Sequence, residues 1–451
     1  LDHAQKFGRP LLVLEAVRCD HPWACARFHR FILSGMAENR RALRAPGVRH
    51  YAYVEPLACH GRGLLETLAS RACLVVTDHF PCFFLPQMVE AVARRLPVAL
   101  DVIDSNGLMP LSVAPKVFTT AFSFRRYLHK SLPDHLQEMP LESPLNHVRL
   151  SGRVELPLSI TQRWPEASDA LLNGTSVAEF AALPVDHGVI ATDLVGGSSA
   201  GLERASHFVE RRLDAYASDR NAPESPGGSG LSPYLHFGHV SAHSVMRRIL
   251  EVEGWSPDRL ASKPTGSRTG WWGMSEAAEA LVDQLITWRE VGYTFCHLRP
   301  DDYDAYESLP RWSLETLEAH AQDPREYVYD RAALEGAQTH DELWNAAQRQ
   351  LVREGRIHGY LRMLWGKKIL EWSDHPRAAL EHLIELNNKY ALDGRDPNSY
   401  SGLLWTFGRF DRAWGPERPI FGKVRYMSSI NTARKVRVKG YLERWSTPLE
   451  G

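Results

Sequence analysis

Three short apolar runs set the terms for the first part of this chain: Leu11–Glu15, just after Arg9 and Pro10, then Cys73–Thr77 and Val98–Ile103. Each has strand length, and helical patterns lie between them, notably over 82–95. Strands that alternate with helices need crossover connections, so the order predicts a parallel sheet in an α/β layering. No GxGxxG follows any of the runs, so the dinucleotide fingerprint is missing from this sheet. Residues 126–200 mix Pro, Ser and Leu with weak periodicity and read as a connector with short helices. From about residue 200 onward the pattern is helical almost throughout. The expected architecture is an α/β, Rossmann-like parallel-sheet domain over 1–125, a connector over 126–200, and a large all-α domain over 201–451. A length of 451 residues suits two or three domains. Leu1–Phe7 reads as the inside of a helix that starts upstream, and it lacks the apolar core of a signal peptide.

Composition narrows the functional classes. With 44% hydrophobic and 24% charged residues, the chain matches a soluble globular protein. A net charge of −1 argues against a protein that coats nucleic acid without specificity, while leaving room for a local basic patch. The six cysteines form no CxxC pair, which fits free thiols in a reducing cytoplasm and neither a disulfide frame nor a metal site. No apolar stretch reaches the ~18–20 residues of a membrane span. Thirteen tryptophans are many for this length. Most should pack, yet the surplus raises stacking or redox use.

Four local patterns carry chemistry. Residues 221–231 (NAPESPGGSGL) precede Ser232-Pro233 and a helix expected over Tyr234–Leu250. They suit either a flexible loop or a cradle whose backbone N–H groups meet a phosphate. Thr339 and Glu342 have capping-box spacing and open a helix that Gly355 interrupts. The next helix carries Met363, Trp365, Ile369 and Trp372, with Trp365 and Trp372 about 10 Å apart along one face, as core packing or as something more. Finally, 418–444 gathers eight Lys and Arg around Tyr426 and Tyr441, as a solvated face or a phosphate-tracking surface.

The stretches THDELWNAAQ (339–348), GRIHGYLRMLWGKKILEW (355–372), LNNKYALDGRDPNSYSG (386–402) and RPIFGKVRYM (418–427) resemble the class II DNA photolyases, and SGLSPYLHFG (229–238) resembles their flavin loop. With the α/β start, the likeness covers nearly the whole chain. It implies FAD folded into a U inside the helical domain. Ser229, Gly230, Leu231 and Ser232 would hold its pyrophosphate and Tyr216 would cover it. Asn387 would face flavin N5, with Asn398 taking that place if the register slips, and Asp393 would lie near the ribityl chain. Trp365, Trp344 and Trp372, in that order, would conduct electrons between flavin and surface, with Tyr329 an additional member.

The implied substrate is a cyclobutane pyrimidine dimer flipped from double-stranded DNA, since a stacked lesion cannot reach a buried flavin. Trp288 and Trp405 would wall the lesion pocket with Met363 beneath, while Arg220, Arg412, Lys423 and Arg425 would meet the DNA. The enzyme implied is a light-driven carbon–carbon lyase, a monomer, working in the cytoplasm with the DNA, or at the nucleoid in a bacterium. Two departures stand out. Gln284 occupies the place of a glutamate that hydrogen-bonds the lesion, which predicts weaker repair or a light-sensing role. Asp104-Ser105-Asn106 replaces an acidic-Ala-His-Asn run, so a deazaflavin or folate antenna is left open. A repair enzyme for (6-4) photoproducts would need a histidine acid, for which His358 is the candidate.

Overall fold

The computed structural model describes all residues except Glu138, Val148, Arg149, Ser151, Pro226, Glu450 and Gly451, and the side chain of His147. Its first part is a parallel α/β layer and the rest is helical. Strand β1 (Leu11–Val17) pairs in parallel with β2 (Val48–Val54), from Leu11 opposite Val48 to Val17 opposite Val54. Strand β3 (Val75–Asp78) pairs in parallel with β4 (Leu100–Ile103). The helices Ala26–Ala42 and Leu85–Ala93 supply the crossovers.

The apolar runs match β1, β3 and β4 to within two residues, but β2 carries Arg49 and His50 and is no apolar run. Its strand character comes from two covered faces. Tyr51 and Tyr53 pack with Leu64, Leu68, Ile160 and Trp164 on one side. Ala52 and Val54 pack with Leu33, Met36, Leu171 and Leu172 on the other. Short helices at Leu158–Arg163 and Asp169–Asn173 therefore lie against the sheet. The Ala121–Ser131 helix turns the other way and joins the helical core through Phe124 and Leu128.

Two local expectations need correction. The helix expected over Tyr234–Leu250 is two helices, Ser232–His236 and Ala242–Val252. Ser241 restarts the second by accepting from the Ser244 N–H, and His239 in the gap packs its ring 4.8 Å from Phe31. The capping box is also absent. Asp341 is the N-cap of helix Glu342–Glu354, accepting from Trp344 N–H, while Thr339 donates to the Asn345 amide oxygen. Gly355 ends that helix at φ +66°, a conformation that would strain a side chain. Helix Gly359–Trp372 follows, buried around most of its circumference, and so runs through the core instead of over it. Among the described residues, no helix is long and apolar enough to cross a membrane.

Candidate functional site

One cavity of about 1580 Å³ opens in the helical part, larger than the ~300–1,000 Å³ that suits one small ligand. Its lining comes from distant parts of the chain. The 228–236 loop and short helix, the 357–363 turn and the 393–403 segment meet there, and Gln284, Trp288, Trp405, Arg412, Trp414 and Arg425 form another side.

The loop side is cationic. Arg204 donates from Nε to the Ser229 carbonyl at 2.8 Å, and Arg356 lines the cavity beside it. Gly230 has φ +69°, and a Cβ there would meet the Arg204 guanidinium at 2.3 Å. Only glycine lets this backbone lie so close to the charge. Deeper in, Arg362 holds Asp393 through two hydrogen bonds of 2.8 and 3.2 Å. Burial alone would raise the Asp393 pKa, but Arg362 and Ser232 outweigh it and leave the carboxylate ionised.

Several buried polar atoms on this wall have no protein partner. Both ring nitrogens of His358 and the Nε of Arg362 are among them, and both residues line the cavity. Burial pushes the His358 pKa down to about 4, so its imidazole is neutral at physiological pH. Orphaned donors and acceptors in a buried wall call for a polar partner, which water or a bound ligand supplies. Guanidinium groups around a glycine turn at one end and these orphans farther along fit a dinucleotide cofactor such as FAD.

The other side is aromatic. Trp288 and Gln284 belong to a π-helical turn, Asp283–Trp288, set between helices Glu276–Val282 and Arg289–Leu298. Such turns insert one residue and re-aim side chains, often at functional sites. Gln284 is exposed to the cavity. Its neighbour Asp283 faces inward, where Arg125 binds it at 2.6 and 3.2 Å, so that carboxylate is spent on a buried ion pair. Arg425 stacks 4.0 Å from the Trp414 ring and pairs with Asp411 at 2.9 Å. Arg412 lies 4.5 Å from the same ring. Lys423 stands apart from the cavity, paired with Glu417 at 3.2 Å.

The remaining sequence-predicted residues divide cleanly. Tyr216, Arg220, Ser229, Gly230, Ser232, Met363, Asp393 and Asn398 all line the cavity with Gln284 and Trp288. Leu231 is buried behind the loop. Asn387 is also buried, and its amide donates to Ser399 Oγ at 2.9 Å, so Ser399 reaches the cavity in front of it. Trp365, Trp344 and Trp372 are buried off the cavity. Trp365 donates to Gln348 Oε1 at 2.9 Å, and Trp344 donates to the Trp365 carbonyl at 3.0 Å. The Trp344 and Trp372 rings meet at 5.6 Å, and Tyr329 meets Trp372 at 5.6 Å. The row thus runs without a break from Trp344 to Tyr329.

Sequence reasoning missed Arg204, Arg362 and Trp414. The first two lay outside the flavin-loop match or unremarked inside a helix. In the 103–111 loop, Asp104 accepts from Leu111 N–H at 2.6 Å and Arg289 donates to the Asn106 carbonyl at 2.5 Å, so this loop clamps onto the helical part.

A deoxyribodipyrimidine photo-lyase of Methanothermobacter thermautotrophicus is 34% identical over 445 residues, spanning 98% of this chain and 89% of that protein. The chain belongs to the photolyase/cryptochrome family. A deoxyribodipyrimidine photo-lyase of Arabidopsis thaliana is 35% identical over 82% of this photolyase-family chain and 69% of its own. The fold agrees with a class III photolyase of Agrobacterium tumefaciens, at TM-score 0.65 and 17% identity over 98% of this chain and 82% of that one. A Synechocystis cryptochrome gives 0.64 at 14% identity over 96% and 82%. No family model matches the chain.

Proposed function

We propose that this chain is a class II photolyase that repairs cyclobutane pyrimidine dimers in double-stranded DNA. The observation that carries the reading is one cavity that joins the cationic 228–232 loop to a wall of Trp288, Trp405 and Met363. A dimer swung out of the duplex needs a flat aromatic slot, and it must stop beside the cofactor. Trp288 and Trp405 provide the faces, and Gln284 offers an amide to the pyrimidine edge. Arg220, Arg412 and Arg425 bring positive charge for the phosphates flanking the gap. FAD, held by Ser229–Ser232, Arg204 and the Arg362–Asp393 pair, would supply the light-driven electron that opens the dimer. Trp365, Trp344 and Trp372 would carry replacement electrons inward from the surface. The antenna and the single-chain state belong to the same proposal: a deazaflavin or folate as antenna, and a monomer.

Two other readings have specific motives. Gln284 in place of an acid favours a photolyase-like light sensor. A (6-4) repair enzyme would use His358 as an acid, but burial holds its ring neutral down to a pH of about 4, so the acidic imidazolium form is scarce at physiological pH. Purified protein carrying FAD should therefore restore oligonucleotides with a cyclobutane dimer under blue light and leave them unchanged in the dark. It should leave (6-4) lesions intact. Binding without light-dependent restoration would instead make the chain a sensor.

A further inference from the structure

The tryptophan row does not end at an indole. Tyr329 stands beyond Trp372, and its backbone N–H donates to the Trp372 carbonyl at 3.0 Å, which pins the segment to the end of helix Gly359–Trp372. The Tyr329 hydroxyl makes two hydrogen bonds, both to His340. It accepts from the His340 backbone N–H at 3.0 Å and lies 2.8 Å from the ring Nδ1. His340 also packs its ring 5.1 Å from Trp372. On its outer side the ring of Tyr327 stacks on it at 3.7 Å, with Tyr327 38% exposed.

We propose that Tyr329 and His340 form a proton-coupled terminus for the row, with His340 as proton acceptor. The assignment rests on the electron-transfer reading of the tryptophans. Once Trp372 has lost an electron, Tyr329 gives it one. The phenolic O–H breaks and its proton passes to Nδ1 of His340. The products are a neutral Trp372, a neutral tyrosyl radical and an imidazolium, so charge and electrons balance. A phenol surrenders an electron readily only when its proton has a base within hydrogen-bond reach. An indole has no such need, which is why the tyrosine and not the tryptophans carries the histidine. The proton-acceptor role requires the phenolic hydrogen to be directed at Nδ1 and the ring proton to reside on Nε2, the tautomer in which Nδ1 accepts.

The surroundings favour the transfer. Lys368 lies 5.3 Å from the centre of the Trp372 ring, and a positive charge there repels a hole resting on Trp372. Glu371, 2.7 Å from Lys368, offsets part of this. Asp341, bonded to Ser429, follows His340 in the chain, and Glu326 lies beside Tyr327. Both are acidic and favour the imidazolium once formed. The exposed Tyr327 ring puts the site within reach of outside reductants.

Flash photolysis of the FAD-loaded protein tests this, with tryptophan and tyrosine radicals followed separately. His340→Gln should keep the tryptophan radical and lower the tyrosyl yield about tenfold or more. Tyrosyl formation in wild type should slow in deuterated water, while His340→Gln should show no such effect. Nitrogen NMR in the dark, on protein with no flavin, should find His340 protonated on Nε2 and its Nδ1 signal shifted by Tyr329→Phe. Unchanged tyrosyl yield in His340→Gln, or a ring protonated on Nδ1, overturns the proton-acceptor role and leaves the row standing. No tryptophan radical in wild type overturns the row and the terminus together.

Discussion

The Lys367 ammonium lies 4.9 Å from the centre of the Trp405 ring, on the buried side of that tryptophan, and donates to the Thr406 carbonyl. It has no exposed surface. Burial pushes its pKa down to about 7, with Asp411 pulling upward and Arg425 further downward. The unfolded chain therefore binds the extra proton between about pH 7 and the usual lysine value near 10.5. Stability should rise with pH through that window, and the full cost of burying the charge should persist below it. In denaturant titrations, wild type should gain on Lys367→Met between about pH 7 and pH 9, by up to ~1.4 kcal/mol per pH unit. A gap that does not move with pH contradicts the lowered proton affinity of Lys367.

Glu290 shows the opposite sign. It is buried beneath Gly107 and accepts from the N–H groups of Leu108 at 2.6 Å and Met109 at 3.3 Å. Burial raises its pKa to about 7, against the pull of these donors and Arg289. The folded protein holds this proton longer than the unfolded chain, so stability should fall as pH rises from about 4.5 to about 7. Glu290→Gln should flatten that slope by roughly 1 kcal/mol per pH unit. An unaltered slope means that the carboxyl stays ionised in the fold.

Arg125 and Asp283 are both nearly fully buried and bound side to side. Arg125→Met strands a carboxylate in the core, which should cost about 3–5 kcal/mol in thermal or chemical unfolding. Adding Asp283→Leu should recover most of the loss. A double variant as unstable as the single one would show that the arginine stem, not the pair, holds the turn that aims Gln284.

Restoring the acid, Gln284→Glu, should raise dimer affinity or the quantum yield of repair several-fold. Titrations with a dimer-bearing duplex and actinometry read these two quantities. If neither changes, Gln284 does not touch the lesion.

Trp365→Phe should abolish photoreduction of oxidised FAD while chemically reduced protein repairs nearly as before. The variant also frees Gln348 Oε1, a loss of about 1–2 kcal/mol that the fold can bear. Normal photoreduction in this variant would remove Trp365 from the electron path.

What could be read locally was read from residues whose environment is set by near neighbours. β1, β3 and β4 announce themselves because each is a run of apolar side chains, and Gly355 because glycine takes the left-handed turn that ends a helix there at least cost. β2 does not, since its tyrosines count as interior only when Trp164, more than a hundred residues on, closes over them. The same holds for Thr339, whose spacing to Glu342 suits a cap until Asn345 claims its hydroxyl.

The site divides along the same line. The order of residues alone singled out the 228–232 loop, the tryptophan helix and the basic segment as candidates, because these are contiguous motifs. Only the folded chain decided that Arg204, Arg362, Trp288 and Trp414 share one cavity, that Asn387 stands behind Ser399, and that Tyr329 faces His340. The reason is physical: burial, and with it the proton affinities of Lys367, Glu290 and His358, depends on which distant segments exclude water from a side chain, and no local pattern encodes that.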